Sequence, residues 1–137
     1  MDIKNKTKQM KKLLLLTLLL PGFLFSQNVF GQTKEEVYEY LVSIDCKFPE
    51  IVTAQSILET GHFKSYSCRV RHNLFGLRYN HKYLQFANWK LSCDAYISKV
   101  QYKYKSGDYY TFLYELGYAS DPDYCKKLKK IKTQINK

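Results

Sequence analysis

From Thr33 onward, apolar residues recur at helical spacing. Val37, Tyr40, Leu41 and Ile44 lie three or four apart and give one apolar face that reaches about Asp45. The stretch opens on Thr33-Lys34-Glu35-Glu36, a T-x-x-E capping box whose hydroxyl and carboxylate satisfy free backbone donors at a helix start. A second helix is predicted from Pro49, which suits a first turn where no N–H is needed, through Ile51, Val52, Ala54, Ile57 and Leu58 to a stop at Gly61. Nearly every position in it is apolar or small except Gln55 and Glu59, so it is expected at the centre of the fold. Those two polar residues, four apart, share one face.

After Asn73 the period shortens. Phe75, Leu77 and Tyr79 alternate with Gly76 and Arg78, Asn80-His81 reads as a turn, and Tyr83 to Phe86 returns, which predicts a hairpin. Two strands alone are marginal, so this piece must lean on the helices. Ser92 can cap a third helix with Asp94 in its first turn and Cys93, Ile97, Val100 and Tyr104 along one side. Gly107-Asp108 breaks and restarts the chain for a fourth helix carrying Phe112, Leu113 and Leu116, which stops at Gly117. Asp121-Pro122 opens a last helix through Cys125, Leu128 and Ile131. The expected fold class is α+β, mainly α, with about five helices and one short β-hairpin.

Upstream, residues 4–12 carry five lysines and are followed by an apolar block from Leu13 to Phe25. That block is shorter than the about 20 residues a bilayer span needs, and the pattern is that of a secretory signal peptide. Ser26 and Gly31 mark two possible cuts, so residues 1–31 are set apart from a domain at 32–137, and the product is expected in the periplasm or outside the cell. An uncleaved anchor is the alternative, against which stands the helix-disrupting Pro21-Gly22 pair. What remains is enough for one core and too small for two.

Formal charge is +10; without the five lysines and Asp2 of the leader, 17 basic residues face 11 acidic ones. A moderately basic surface suits anionic partners such as nucleic acid, acidic glycans or cell-wall polymer, and equally a merely soluble one. Nucleic-acid binding would need aromatic and basic residues interleaved on one face, which the sequence does not display. The lysines of KKLKKIK read as a solvated face. Cys46, Cys68, Cys93 and Cys125 permit two disulfides or remain as buried thiols. No CxxC or Cys/His pair stands at zinc spacing, and neither metal nor cofactor is expected.

Glu59 occupies an awkward position. The end of a helix carries partial negative charge, so an ionised carboxylate in the last turn is disfavoured, and apolar walls would raise its pKa further. A carboxylic acid that keeps its proton near neutral pH can give it to a poor leaving group. The plain alternative is a surface glutamate at a frayed end.

The words AQSILETGHFKS, HNLFGLR and GYASDPDYCKKL decide between these. Together they resemble the glucosaminidase family of peptidoglycan hydrolases, glycoside hydrolase family 73, over essentially all of residues 33–137. The resemblance implies a lysozyme-like fold and cleavage of the β-1,4 bond after N-acetylglucosamine in cell-wall glycan, with Glu59 as general acid. It implies that Tyr118 positions water or steadies the transition state, and that Asn73, Leu74, Phe75 and Gly76 enter a hairpin walling a glycan groove. Gln55, Asn73, Phe75, Gly76, Tyr79 and Tyr83 are the expected substrate-binding residues, with Phe75 expected in the core sooner than against the sugar, and Trp89 is expected to pack between hairpin and helix. Asp121 is expected only to cap a helix. Muramidase or lytic transglycosylase chemistry on the same polymer, or a wall-binding module without turnover, are the alternatives.

One departure matters. Many members of that family carry a second acid in the hairpin, yet there is no Asp or Glu from Asn73 to Ser92. A scheme with two carboxylates is therefore in doubt, which leaves a base borrowed from elsewhere, loss of activity, or, fitting best, assistance from the substrate's own N-acetyl group, which would make Glu59 and Tyr118 sufficient.

Overall fold

The computed structural model describes residues 32–135. The expected leader and its cut lie outside the described residues. Helix α1 (Lys34–Ser43) begins at the predicted capping box: the Thr33 hydroxyl accepts from Glu36 N, and the Glu36 carboxylate accepts from Thr33 N at 2.8 Å. Helix α2 (Pro49–Glu59) is entered from Phe48, whose left-handed backbone (φ 56°) turns its ring into a cluster with Tyr104 and Tyr109. From Ile51 to Ile57 every residue of α2 is buried, as its composition predicts for a central helix. It packs on α1 and on the last helix, and hydrophobic burial of this kind is what fixes its ends in space.

The stop after α2 is longer than a single glycine. Gly61, His62 and Phe63 all hold positive φ, and the Thr60 hydroxyl donates to Ser56 O at 2.6 Å while accepting from Phe63 N at 2.8 Å. A one-turn helix α3 (Tyr66–Arg69), capped by Ser65, follows. Four residues are too few to show a period, which is why the sequence did not predict it.

The hairpin is real but shorter than expected: β1 (Arg78–Tyr79) pairs antiparallel with β2 (Lys82–Tyr83), Arg78 opposite Tyr83 and Tyr79 opposite Lys82. The flanking residues are irregular and are tied down by Asn73. Its side-chain nitrogen donates to Leu77 O and Leu84 O at 2.8 and 3.0 Å, and its oxygen accepts from Leu77 N at 2.9 Å.

Two helix starts move. Helix α4 (Trp89–Lys99) is capped by Asn88 rather than Ser92, and Ser92 sits inside the helix, buried, with its hydroxyl donating to Trp89 O and accepting from Leu74 N. Ser92 therefore ties the helix to the hairpin entry. Tyr104 falls beyond α4, past a 3₁₀ turn at Gln101–Lys103. Helix α5 (Tyr109–Glu115) is capped by Asp108 as expected, at 2.8 Å from Thr111 N. Helix α6 (Tyr124–Lys132) begins later than the Asp-Pro pair predicts: Asp121 accepts from Asp123 N at 2.9 Å, which closes a turn ahead of the helix. Its buried stripe is Tyr124 and Leu128, with Lys126, Lys127, Lys129 and Lys130 exposed.

All four cysteines are free thiols, three of them buried. Burial pushes the Cys46 thiol up to about 12, so it is unreactive at neutral pH. Among the described residues, six helices and a two-stranded sheet make a mainly helical α+β domain of lysozyme-like build. None of the described helices is long and apolar enough to cross a membrane.

Candidate active site

A polar cleft of about 490 Å³ lies where the end of α2 meets the hairpin and the segment leading to α6. Glu59 is the last residue of α2, so the buried helix delivers its carboxyl to the cleft while the left-handed turn at Gly61 takes the chain away. The Tyr124 hydroxyl donates to Glu59 Oε1 at 2.8 Å. The other oxygen faces Gly76, where a Cβ atom would stand 3.2 Å from Oε2. Burial raises the pKa of Glu59 and is the largest influence on it; the Tyr124 hydrogen bond and the positive charge of Arg78 oppose that rise. The helix-end carboxylic acid inferred from the sequence is thus held partly out of water, with one oxygen bonded and one open.

Behind Glu59 runs a chain of buried hydrogen bonds. Gln55 Nε2 donates to the Tyr124 hydroxyl at 3.3 Å, and Gln55 Oε1 accepts from the Tyr96 hydroxyl at 2.5 Å. With the Tyr96 proton given to Gln55, the Tyr109 hydroxyl donates to Tyr96 across 2.9 Å. Gln101 Nε2 in turn donates to Tyr109 at 3.2 Å and to Lys47 O at 2.8 Å. From Gln101 to Tyr124 one donor at each step points toward the carboxyl, so the chain is satisfied throughout and fixes the position of Oε1 from the far side of the core.

The structure brings together Glu59, Gly76, Tyr83 and Tyr118 around the cleft. Three other residues expected to bind substrate do not reach solvent: Gln55, Asn73 and Phe75 are 0 %, 1 % and 2 % exposed. Gln55 belongs to the network, Asn73 pins the hairpin, and Phe75 packs against Tyr96 with ring centroids 4.6 Å apart. Their side chains shape the wall instead of meeting a ligand. Tyr79 is exposed, but it lies next to Arg78, whose side chain lines the cleft; consecutive strand residues face opposite ways, so Tyr79 points elsewhere. The Tyr118 hydroxyl donates to Phe75 O at 2.7 Å, which leaves its oxygen lone pair free to accept from water.

Arg78 and Tyr124 line the cleft without having been singled out in the sequence. Tyr124 lies inside the GYASDPDYCKKL word, four residues before the buried Leu128, so helical spacing would have marked it as inward-facing. Asp121 also lines the cleft, but one of its oxygens accepts from Asp123 N and the other is paired with Lys127 at 2.5 Å. Those contacts hold its carboxyl below the usual range, so it stays charged and occupied.

Two substitutions test this geometry. Gly76→Ala places a methyl beside Oε2 at a residue with φ +62°, where a side chain is strained. It is expected to lower stability by about 1 kcal/mol, read in a thermal melt, and to reduce turnover of labelled peptidoglycan by about tenfold by crowding the reactive oxygen. Unchanged turnover would show that Oε2 is not the oxygen that works. Tyr124→Phe removes a bond that favours the charged carboxylate, so the pKa of Glu59 rises further and the alkaline limb of the pH–rate profile moves to higher pH. A limb that stays put or moves down contradicts the assignment.

Among the described residues, Glu59 is the carboxyl group of the cleft whose pKa is raised, and it sits in an open polar groove between the helical body of a lysozyme-like domain and its hairpin. The glucosaminidase family, described as mannosyl-glycoprotein endo-beta-N-acetylglucosaminidase, matches residues 35–137, and the chain belongs to that family. It is thereby a glycoside hydrolase of the broad class that acts on peptidoglycan glycan. No curated protein matches the chain.

Proposed function

We propose that this is an exported endo-β-N-acetylglucosaminidase that cleaves the β-1,4 bond after N-acetylglucosamine in bacterial cell-wall glycan, with Glu59 as proton donor. The observation that supports it best is the Glu59 carboxyl, desolvated, held by Tyr124 on one oxygen and open to the cleft on the other. A protonated Oε2 gives its hydrogen to the glycosidic oxygen as the bond to the anomeric carbon breaks.

Asp121 is the other carboxyl among the described residues that line the cleft, and both its oxygens are engaged. This favours substrate assistance: the acetamido oxygen at C2 attacks the anomeric carbon from within the same sugar, where its effective concentration is high. Water then opens the resulting ring and gives its proton to the Glu59 carboxylate left by the first step, while the Tyr118 oxygen is free to accept a hydrogen bond from that water. Mass spectrometry of digested peptidoglycan tests the bond assignment. New reducing ends on N-acetylglucosamine support it, while N-acetylmuramic acid ends or anhydro products assign muramidase or lytic transglycosylase chemistry instead.

A further inference from the structure

We propose that Arg71 and Arg78, with Tyr66 and Tyr83, form a carboxylate-binding track that takes the acidic sugar of the glycan beside the Glu59 cleft. This deepens the hydrolase reading above and rests on it. The strand register sets Arg78 directly opposite Tyr83; its guanidinium carbon lies 4.0 Å from the ring centroid, and its Nη2 donates to the Tyr83 hydroxyl. The guanidinium of Arg71 stands 5.5 Å from the same ring and 5.0 Å from that of Tyr66. The carbonyl of Arg71 accepts from Phe86 N at 2.9 Å, which ties the segment before the hairpin to the one after it. Tyr66, Arg71, Tyr83 and Arg78 therefore make one continuous row, and its Arg78 end opens into the cleft.

Two cations held around one aromatic ring repel each other, and among the described residues neither has a carboxylate within ion-pair distance. Such a pair lacks an anion. Guanidinium forks match carboxylates in shape and charge, and the exposed parts of the Tyr66 and Tyr83 rings add apolar contact for a pyranose. In cell-wall glycan every second sugar bears a lactyl carboxyl, either free or extended by a peptide that ends in carboxylates, whereas a polymer of N-acetylglucosamine alone bears none. The track would thus place the acidic sugar on the hairpin side and leave N-acetylglucosamine across Glu59. Interleaved basic and aromatic residues also suit a nucleic acid. The opening onto the Glu59 cleft favours the glycan.

The test compares the wild type with Arg71→Gln, Arg78→Gln and the double variant, each shown to be folded by its thermal melt. Binding is measured to intact peptidoglycan, to peptidoglycan stripped of its peptides by an amidase, and to a soluble N-acetylglucosamine hexamer. The double variant is expected to lose about tenfold or more in affinity for acidic glycan relative to the neutral hexamer, with a weaker dependence on salt. Loss on intact wall alone assigns the peptide carboxylates, and loss on stripped wall assigns the lactyl group. Equal loss on all three probes, no loss on any, or tighter binding to single-stranded DNA than to wall overturns the proposal. The two readings fail separately: arginine-dependent binding without sugar release removes the hydrolase assignment, and sugar release with an unmoved acid-to-neutral ratio removes the track.

Discussion

Glu59→Gln is expected to lower turnover of purified peptidoglycan by about 10²- to 10⁴-fold, while the protein folds and becomes less sensitive to pH. The amide keeps an oxygen that can accept from Tyr124 but has no acidic proton to give, so the loss belongs to chemistry and not to shape. Dye release from labelled wall, with bound protein measured in parallel, separates the two: binding persists while release stops. A variant that keeps wild-type turnover ends the assignment of Glu59 as donor.

The stability of the same pair of proteins carries a second readout. The pKa of Glu59 is raised in the folded state, so the folded protein holds this proton over a range where the unfolded chain has released it. Its stabilising contribution is complete below the unfolded pKa and is lost as pH rises through the folded one. Glutamine resembles the protonated form and carries no such loss. Relative to wild type, the variant should therefore gain stability as pH rises through that window, measured by urea unfolding at a series of pH values. A difference that does not change with pH would mean that Glu59 titrates alike in both states.

The second large effect is expected at Gln55. Gln55→Leu fills similar space but deprives the Tyr96 hydroxyl of its acceptor and the Tyr124 hydroxyl of a donor, in a region from which water is excluded. Tyr96 keeps Tyr109 and Tyr124 keeps Glu59, so neither hydroxyl is orphaned, but each loses one buried hydrogen bond of about 1 kcal/mol, and a total loss of about 1–3 kcal/mol is expected. Activity should fall as well, because Tyr124 then holds Glu59 Oε1 without support from behind. The effect of Gln55→Leu combined with Tyr124→Phe should be less than the sum of the two alone, since both break the same chain. Full additivity would show that the chain does not act as a unit.

Much of this was legible along the chain. The capping box at Thr33, the proline start and glycine stop of α2, and the restart at Asp108 are local signals, decided within one turn of backbone, and the structure places them as expected. Two other starts moved, because their side chains have competing partners. Ser92 looks like a cap by type, yet its hydroxyl is claimed by Trp89 O and Leu74 N, and Asn88 takes the capping position. Asp121-Pro122 looks like a helix start, yet Asp121 is drawn into a turn and an ion pair with Lys127.

The site divides in the same way. Residue type and spacing alone put a carboxylic acid at the exposed end of an otherwise buried helix, because burial of α2 follows from its own composition and its length sets where Glu59 emerges. Which neighbours surround that acid was left to the packing. Tyr124, Arg78 and Gly76 come from three separate segments and meet Glu59 only when α6 and the hairpin close against α2. Whether Gln55, Asn73 and Phe75 would face a ligand or the core was settled there too. A polar side chain is compatible with either, and the choice falls to whatever donors and acceptors the fold brings within about 3 Å of it.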